Sequence, residues 1–276
     1  MILSGIDEMG GGTWLGLSRT GKVALLTNIT EATHPSIVTS RGSLVSSFLL
    51  LDSDEPLEVQ AQKCYPRDAK YSGFNLLLLA PSATPAQAGD PVADLDLQYK
   101  GCLVTNGGAC GPIASRPLSA KERSCGGFSN GVDGKGGAEW PKVKRGLRDF
   151  ENLISQLTQA SDKQADESEL ADRLFELLLW TPSEPVTERS QLRNTVQVEP
   201  VEATWGGGNA YYGTRLSNVL LIRRNGQVTF IERDIWKLVD GKVTRMGYNT
   251  DDNKSSMSTP SERTFRFQLD LRSPPS

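Results

Sequence analysis

The chain has 276 residues, 37% of them hydrophobic, and its 33 acidic and 30 basic side chains leave a net charge of -3. That balance describes a globular protein and offers no polybasic face for nucleic acid. The longest apolar runs, Phe48 to Leu51 and Leu76 to Ala80, fall far short of the roughly 20 residues needed to cross a bilayer. No basic segment followed by an apolar core opens the chain, so it reads by default as a cytoplasmic protein.

In chain order, Thr13 to Ser18 and Lys22 to Thr27 read as two strands joined by the turn Arg19-Thr20-Gly21, with glycine supplying the positive φ of a tight turn. The same residues spell a near-miss of a phosphate loop, Gly16-x4-Gly21-Lys22. Val23 stands where a metal-holding Ser or Thr is needed, and a strand rather than a helix follows. Thr30 to Ser40 is a polar loop. Gly42 to Leu51 is predicted as a helix with Leu44, Phe48 and Leu51 on one face. Asp54 to Lys63 reads as a second, with Asp54 as N-cap. Phe74 to Leu79 is predicted as a strand buried on both faces, and residues 81–94 as a loop insertion. Leu95 to Thr105 suggests a hairpin turning at Lys100-Gly101. Asn106 to Gly127 reads as a Gly- and Pro-rich loop closed by Asn130, and Gly131 to Gly137 as a flexible connector.

Trp140 to Gln159 is the clearest helix, with Val143, Leu147, Phe150, Ile154 and Leu157 in one apolar stripe. Glu167 to Trp180 repeats the pattern through Leu170, Leu174, Leu177 and Leu178, and the two are expected to pair antiparallel over a sheet. After a loop to Ala203, Tyr212 to Arg224 and Gln227 to Arg233 form a hairpin through the two-residue turn Asn225-Gly226. Residues 240–262 read as irregular. Phe265, Phe267, Leu269 and Leu271 alternate with polar residues in a last strand, and 273–276 is a tail. Strands in hairpins and helices in separate blocks predict an α+β fold with antiparallel sheets.

Cys64, Cys102, Cys110 and Cys125 lack paired CxxC spacing and have one histidine, His34, to help them. They make a poor metal site and read as reduced thiols, and no metal or cofactor is expected. His34 beside Pro35 reads as a solvated loop histidine, and no nucleophile elbow supplies a serine for it to activate.

"GGTWLGLSRTGKVALLTN" at residues 11–28 resembles the start of the conserved part of the transport and Golgi organisation family, also called the NRDE family after its Asn-Arg-Asp-Glu motif. The likeness continues in order through Ser40 to Gly42, "YSGFNLLL" at Tyr71, "FSN" at Phe128 and Trp140-Pro141-Lys142. It then runs on through "YGTRLSNVLLI" at Tyr212 and "VTFIER" at Val228. Order over nearly the whole chain carries the resemblance, and residues 1–276 are read as one domain of this family. The resemblance implies an αββα sandwich like that of the N-terminal nucleophile hydrolases, two antiparallel sheets with helices outside. It also implies an N-terminally incomplete fold, since the Met-Cys start and the Asn-Arg-Asp-Glu motif of the family's first strand pair are absent.

In hydrolases of that fold the first side chain attacks an amide carbonyl and its own amine serves as base. Asn28, Asn130 and Arg215 stand where related members place polar active-site groups, and are expected to meet at a common ligand. Taken singly, each also has a plain structural role open to it: a turn, a loop cap, an ion pair. Two functions follow from the resemblance. One is a non-catalytic role in secretory-pathway transport and Golgi organisation through lipid or haem handling, with Golgi or mitochondrial association. The other is an amidohydrolase whose nucleophile is missing from this chain. The absent motifs favour the first.

Overall fold

The structure, a computed structural model, describes residues 1–8, 10–31, 39–66, 68–83, 97–159, 166–203, 210–246 and 261–271. The chain groups into two compact units. One comprises Met1–Val143 with Ile222–Gln227 and Gln268–Ser276, the other Lys144–Leu221 with Val228–Phe267.

The first unit opens with strands β1 (Ile2–Ser4), β2 (Leu15–Ser18) and β3 (Val23–Asn28). β2 and β3 form the predicted hairpin, with Leu15 opposite Leu25. In its turn the Gly21 N–H donates to Ser18 O at 3.0 Å, Ser18 N–H donates to Lys22 O at 2.8 Å, and Gly21 takes φ +89°. That is a three-residue loop closed by a left-handed glycine, a geometry that preserves the strand twist. Helices α1 (Gly42–Leu50) and α2 (Leu57–Lys63) follow. α1 buries Leu44, Val45, Phe48 and Leu49. α2 begins later than expected: Pro56, not Asp54, is its N-cap, in an extended conformation with ψ 144°. Asp54 is left too far back to reach the first helical N–H groups. Lys22 turns inward, donating to Leu51 O at 2.7 Å and Gln60 Oε1 at 2.6 Å beneath the Phe48 ring. The lysine of the apparent phosphate loop thus ties the hairpin to both helices.

Strands β4 (Phe74–Ala83), β5 (Leu97–Thr105) and β6 (Ala114–Pro117) complete a six-stranded antiparallel sheet ordered β1 to β6. Phe74, Leu76 and Leu78 of β4 are fully buried with Ala24, Phe48 and Val104 in the core, while Leu77 and Leu79 are only half-buried. β4 continues into the expected loop insertion. Pro81 lies beyond the Val23–Leu79 pair, where β4 bonds to β5 alone, a position at which a sheet tolerates proline. Residues 84–94 of that insertion, like His34, lie outside the described residues.

β5 runs straight through Lys100-Gly101, correcting the expected turn. Gly101 answers to packing instead, since a Cβ there would overlap the Leu118 side chain. The expected loop 106–127 holds β6 and a short helix, α3 (Ala120–Ser124), started by a Ser119–Glu122 capping box. Gly131 and Gly137, expected in a flexible connector, pack backbone to backbone with no room for a Cβ at Gly131.

Helix α4 (Pro141–Gln159) crosses the division between the units, and α5 (Glu167–Leu178) lies wholly in the second. Their pairing is antiparallel. Arg145, early in α4, stacks on Trp180 past the end of α5, and Gln156, late in α4, accepts from Arg173. Two details depart from the leucine stripes. Leu153 is buried while Ile154 is 43% exposed, and α5 buries Ala171 and Phe175 against Val219 and Ile231, with Leu174 and Leu178 at the margin. The facing surface selects the small and aromatic positions over the leucines.

Beyond α5, β7 (Val201–Ala203) pairs with β8 (Ala210–Tyr212), so the expected strand from Tyr212 breaks at Gly213 and resumes as β9 (Leu216–Ile222). β9 joins β10 (Gln227–Asp234). Here too the turn is a three-residue one: Gly226 N–H donates to Arg223 O and Arg223 N–H to Gln227 O, with Gly226 at φ +83°. A two-residue turn does occur at Asp240-Gly241, at φ +49° and +76°, between β11 (Trp236–Val239) and β12 (Lys242–Arg245). This hairpin occupies the start of the stretch expected to be irregular, and the rest of it, 247–260, is outside the described residues, as is the tail. β13 (Glu262–Gln268) flanks β10 in a three-stranded sheet ordered β13-β10-β9. The class is α+β with antiparallel sheets, as the order of hairpins and helices predicts.

Candidate functional site

In the first unit, Asn28 ends β3 and Asn130 lies in the loop between α3 and α4. The Asn130 Nδ2 donates to Asn28 O at 2.8 Å, and its backbone oxygen accepts the Thr30 N–H at 2.8 Å. Buried Asn75 of β4 anchors the same loop, donating to Ser129 O at 3.1 Å and Gly131 O at 2.8 Å. Two of the three expected site residues are therefore in direct contact. Asn28 Oδ1 is buried and accepts no hydrogen bond.

Lys142, which carries no role in the sequence reading beyond its family motif, completes this cluster. Its Nζ donates to Asn130 Oδ1 at 3.1 Å and stands 5.6 Å from the centroid of the Trp140 ring. Among the described residues no carboxylate pairs with it. Burial without a counter-charge lowers its amine to about 8, because a low dielectric disfavours the charged form. The only sequence signal is weak: a lysine in a first helical turn, where the macrodipole favours acids.

Arg215 belongs to the second unit, immediately before β9. Its backbone oxygen accepts the N–H groups of Ile235 at 2.8 Å and Trp236 at 3.1 Å, which seats it beside β11. The guanidinium is 68% exposed and reaches only within 3.8 Å of Asp234 Oδ1. Asp234 is the buried counter-charge of the region, with Lys237 Nζ at 2.7 Å and Arg263 Nη1 at 3.2 Å. Burial alone would raise its pKa, but the bonds from Arg263 and Lys237 outweigh that and hold it at about 2. Lys237 and Arg263 are thus committed to Asp234, while among the described residues the one acidic partner of Arg215 is Asp234 at 3.8 Å, which leaves most of its five donors for another acceptor.

Arg215 and Lys237 line a cleft of about 300 Å³ together with Trp236, Leu238, Val243, Pro200 and Tyr211. It is an apolar slot with a guanidinium at its rim, suited to a molecule with a greasy body and an acidic end. Elsewhere, no group of three or more His, Cys, Asp or Glu among the described residues is placed to hold a metal ion. No described helix is long and apolar enough to cross a membrane.

Sequence comparison decides the family, for the family described as Transport and Golgi organisation 2 matches residues 1–237. The chain belongs to that family. It is 30% identical over 255 residues to the Transport and Golgi organization 2 homolog of Mus musculus, a match covering 90% of this chain and 81% of the relative. The Homo sapiens relative, Transport and Golgi organization protein 2 homolog, is 30% identical over 240 residues, with 85% and 77% covered. That of Bos taurus is 28% identical over the same length and shares. The family span takes in Asn28, Asn130, Lys142, Arg215 and Asp234, and ends at Lys237 within the cleft.

Proposed function

We propose that this protein serves transport and Golgi organisation as a non-catalytic carrier, binding a lipid-like ligand with an acidic head group in the Arg215 cleft. One observation carries the reading: an exposed guanidinium, only weakly engaged by Asp234, on the rim of a slot walled by Trp236, Leu238 and Val243. A planar two-pronged contact from Arg215 to a phosphate or carboxylate would fix the head, and the apolar walls would take the chain. A lipid-like ligand is favoured over haem, because among the described residues the lining includes Tyr211 but no histidine, cysteine or methionine to coordinate iron. The non-catalytic part rests on the same lining, which among the described residues includes no serine, threonine or cysteine to act as nucleophile. Separately, in the first unit, Asn28 and Asn130 are proposed as polar contacts of a ligand of that unit's own. The reading treats residues 1–276 as one family domain, in keeping with a family match that runs across both units. The test is calorimetric titration with dodecyl phosphate. Arg215→Ala is expected to weaken binding at least tenfold with the melting temperature unchanged. Equal affinity in the variant, or no binding to either protein, overturns the proposal.

A further inference from the structure

We propose that Lys142 is a nucleophilic amine that captures small carbonyl compounds, aldehydes above all, as imines. This site is in the first unit and does not depend on the ligand of the Arg215 cleft. Three features of the geometry support it. First, the Asn130 amide has a fixed sense. Its Nδ2 is committed to Asn28 O at 2.8 Å, so Oδ1 is the atom that faces Lys142, at 3.1 Å. An amine that donates one N–H to that oxygen keeps its lone pair for a carbon electrophile. Second, no carboxylate among the described residues pairs with Lys142, so nothing anionic holds it as ammonium. Third, the Trp140 ring lies 5.6 Å from Nζ, an apolar wall against which an aromatic or aliphatic aldehyde can lie. Asn28 Oδ1, buried in the same cluster without a partner among the described residues, is an acceptor left open for a donor on the adduct.

The step balances without any further reagent. The Nζ lone pair forms a bond to the carbonyl carbon, the C=O π pair moves to oxygen, and a proton shifts from nitrogen to that oxygen to give a carbinolamine. Loss of water then leaves a C=N bond to Nζ. Burial supports this by holding the amine at about 8, so that at neutral pH far more of it is unprotonated than in an ordinary lysine near 10.4. Lys22 marks the contrast. It too is buried, but its Nζ is spent on Leu51 O and Gln60 Oε1 inside the core, and it is expected to be inert.

The experiment treats the folded full chain with 4-carboxybenzaldehyde and cyanoborohydride at pH 7.4, then maps the reduced adducts by peptide mass spectrometry. Lys142 is expected to be labelled at least tenfold faster than exposed lysines such as Lys100 and Lys242. Lys142→Arg should remove that fast adduct while leaving the others unchanged, and the preference should vanish in urea. Labelling of Lys142 no faster than Lys100 and Lys242 overturns the proposal. So does a preference that survives in urea, since the fold would then not be its cause.

Discussion

Asp234 is buried among Lys237, Arg263 and, more loosely, Arg215, whereas Lys142 is half-buried with no opposite charge beside it among the described residues. The two regions handle the cost of desolvating a charge in opposite ways. Around Asp234 the cost is offset by neighbours, which makes the carboxylate a structural centre and leaves Arg215 its most loosely held partner among the described residues. Around Lys142 the cost is not offset. The amine is pushed toward neutrality, and its chemistry stays available. A compensated charge therefore signals architecture, and an uncompensated one signals a site.

The largest effect should come from breaking the compensated side. Asp234→Asn leaves Lys237 and Arg263 facing an amide, and is expected to lower unfolding stability by about 3 kcal/mol, read from the denaturant midpoint. The pH dependence has a definite sign. Asp234 is held below its unfolded value, so its contribution is complete above about pH 4. It is lost as pH falls toward about 2, and the gap between wild type and Asp234→Asn should close over that interval. Lys22→Met comes next, at about 2 kcal/mol, because Leu51 O and Gln60 Oε1 lose their donor in a buried setting. A loss that small substitutions elsewhere on the hairpin reproduce would remove Lys22 from the structural class.

Lys142→Met should change stability by less than about 1 kcal/mol at pH 7, since removing an uncompensated amine relieves as much desolvation as it loses in bonding. Its pH signature is again specific. A lysine whose folded pKa is lowered makes wild type gain stability relative to the variant as pH rises from about 8 toward 10. A flat difference over that range would contradict the uncompensated reading. Smallest of all is Arg215→Ala, within about 0.5 kcal/mol for an ion pair this exposed and this long.

Much of the fold was legible from local signals. The 13–28 hairpin followed from two β-rich runs around Gly21, and α4 and α5 from apolar repeats at helical spacing. Other signals were present but outweighed by their surroundings. The Ser119–Glu122 capping box starts a helix of only five residues inside a Gly- and Pro-rich stretch, and Asp240-Gly241 is a two-residue turn between Val239 and Lys242, at the head of a mostly polar stretch. Gly101 shows a deeper limit. A glycine within a strand signals a turn or a close approach, and only its partner Leu118, brought near by the β5–β6 pairing, decides between them. The site divides the same way. Asn28 and Asn130 stand out by the order of family motifs, but the hydrogen bond joining them spans 102 residues, a distance over which no local pattern carries information. Lys142 carries only the weak signal of a lysine in a first helical turn, because what sets it apart is the lack of an opposite charge beside it among the described residues, a property of the folded chain.

Binding of a ligand with an acidic head group in the Arg215 cleft can be read by hydrogen exchange with and without saturating dodecyl phosphate. Exchange is expected to slow in peptides covering Tyr211 to Arg215 and Trp236 to Val243, with none of that slowing in Arg215→Ala. Saturable binding that leaves both segments unchanged and slows exchange elsewhere would contradict it.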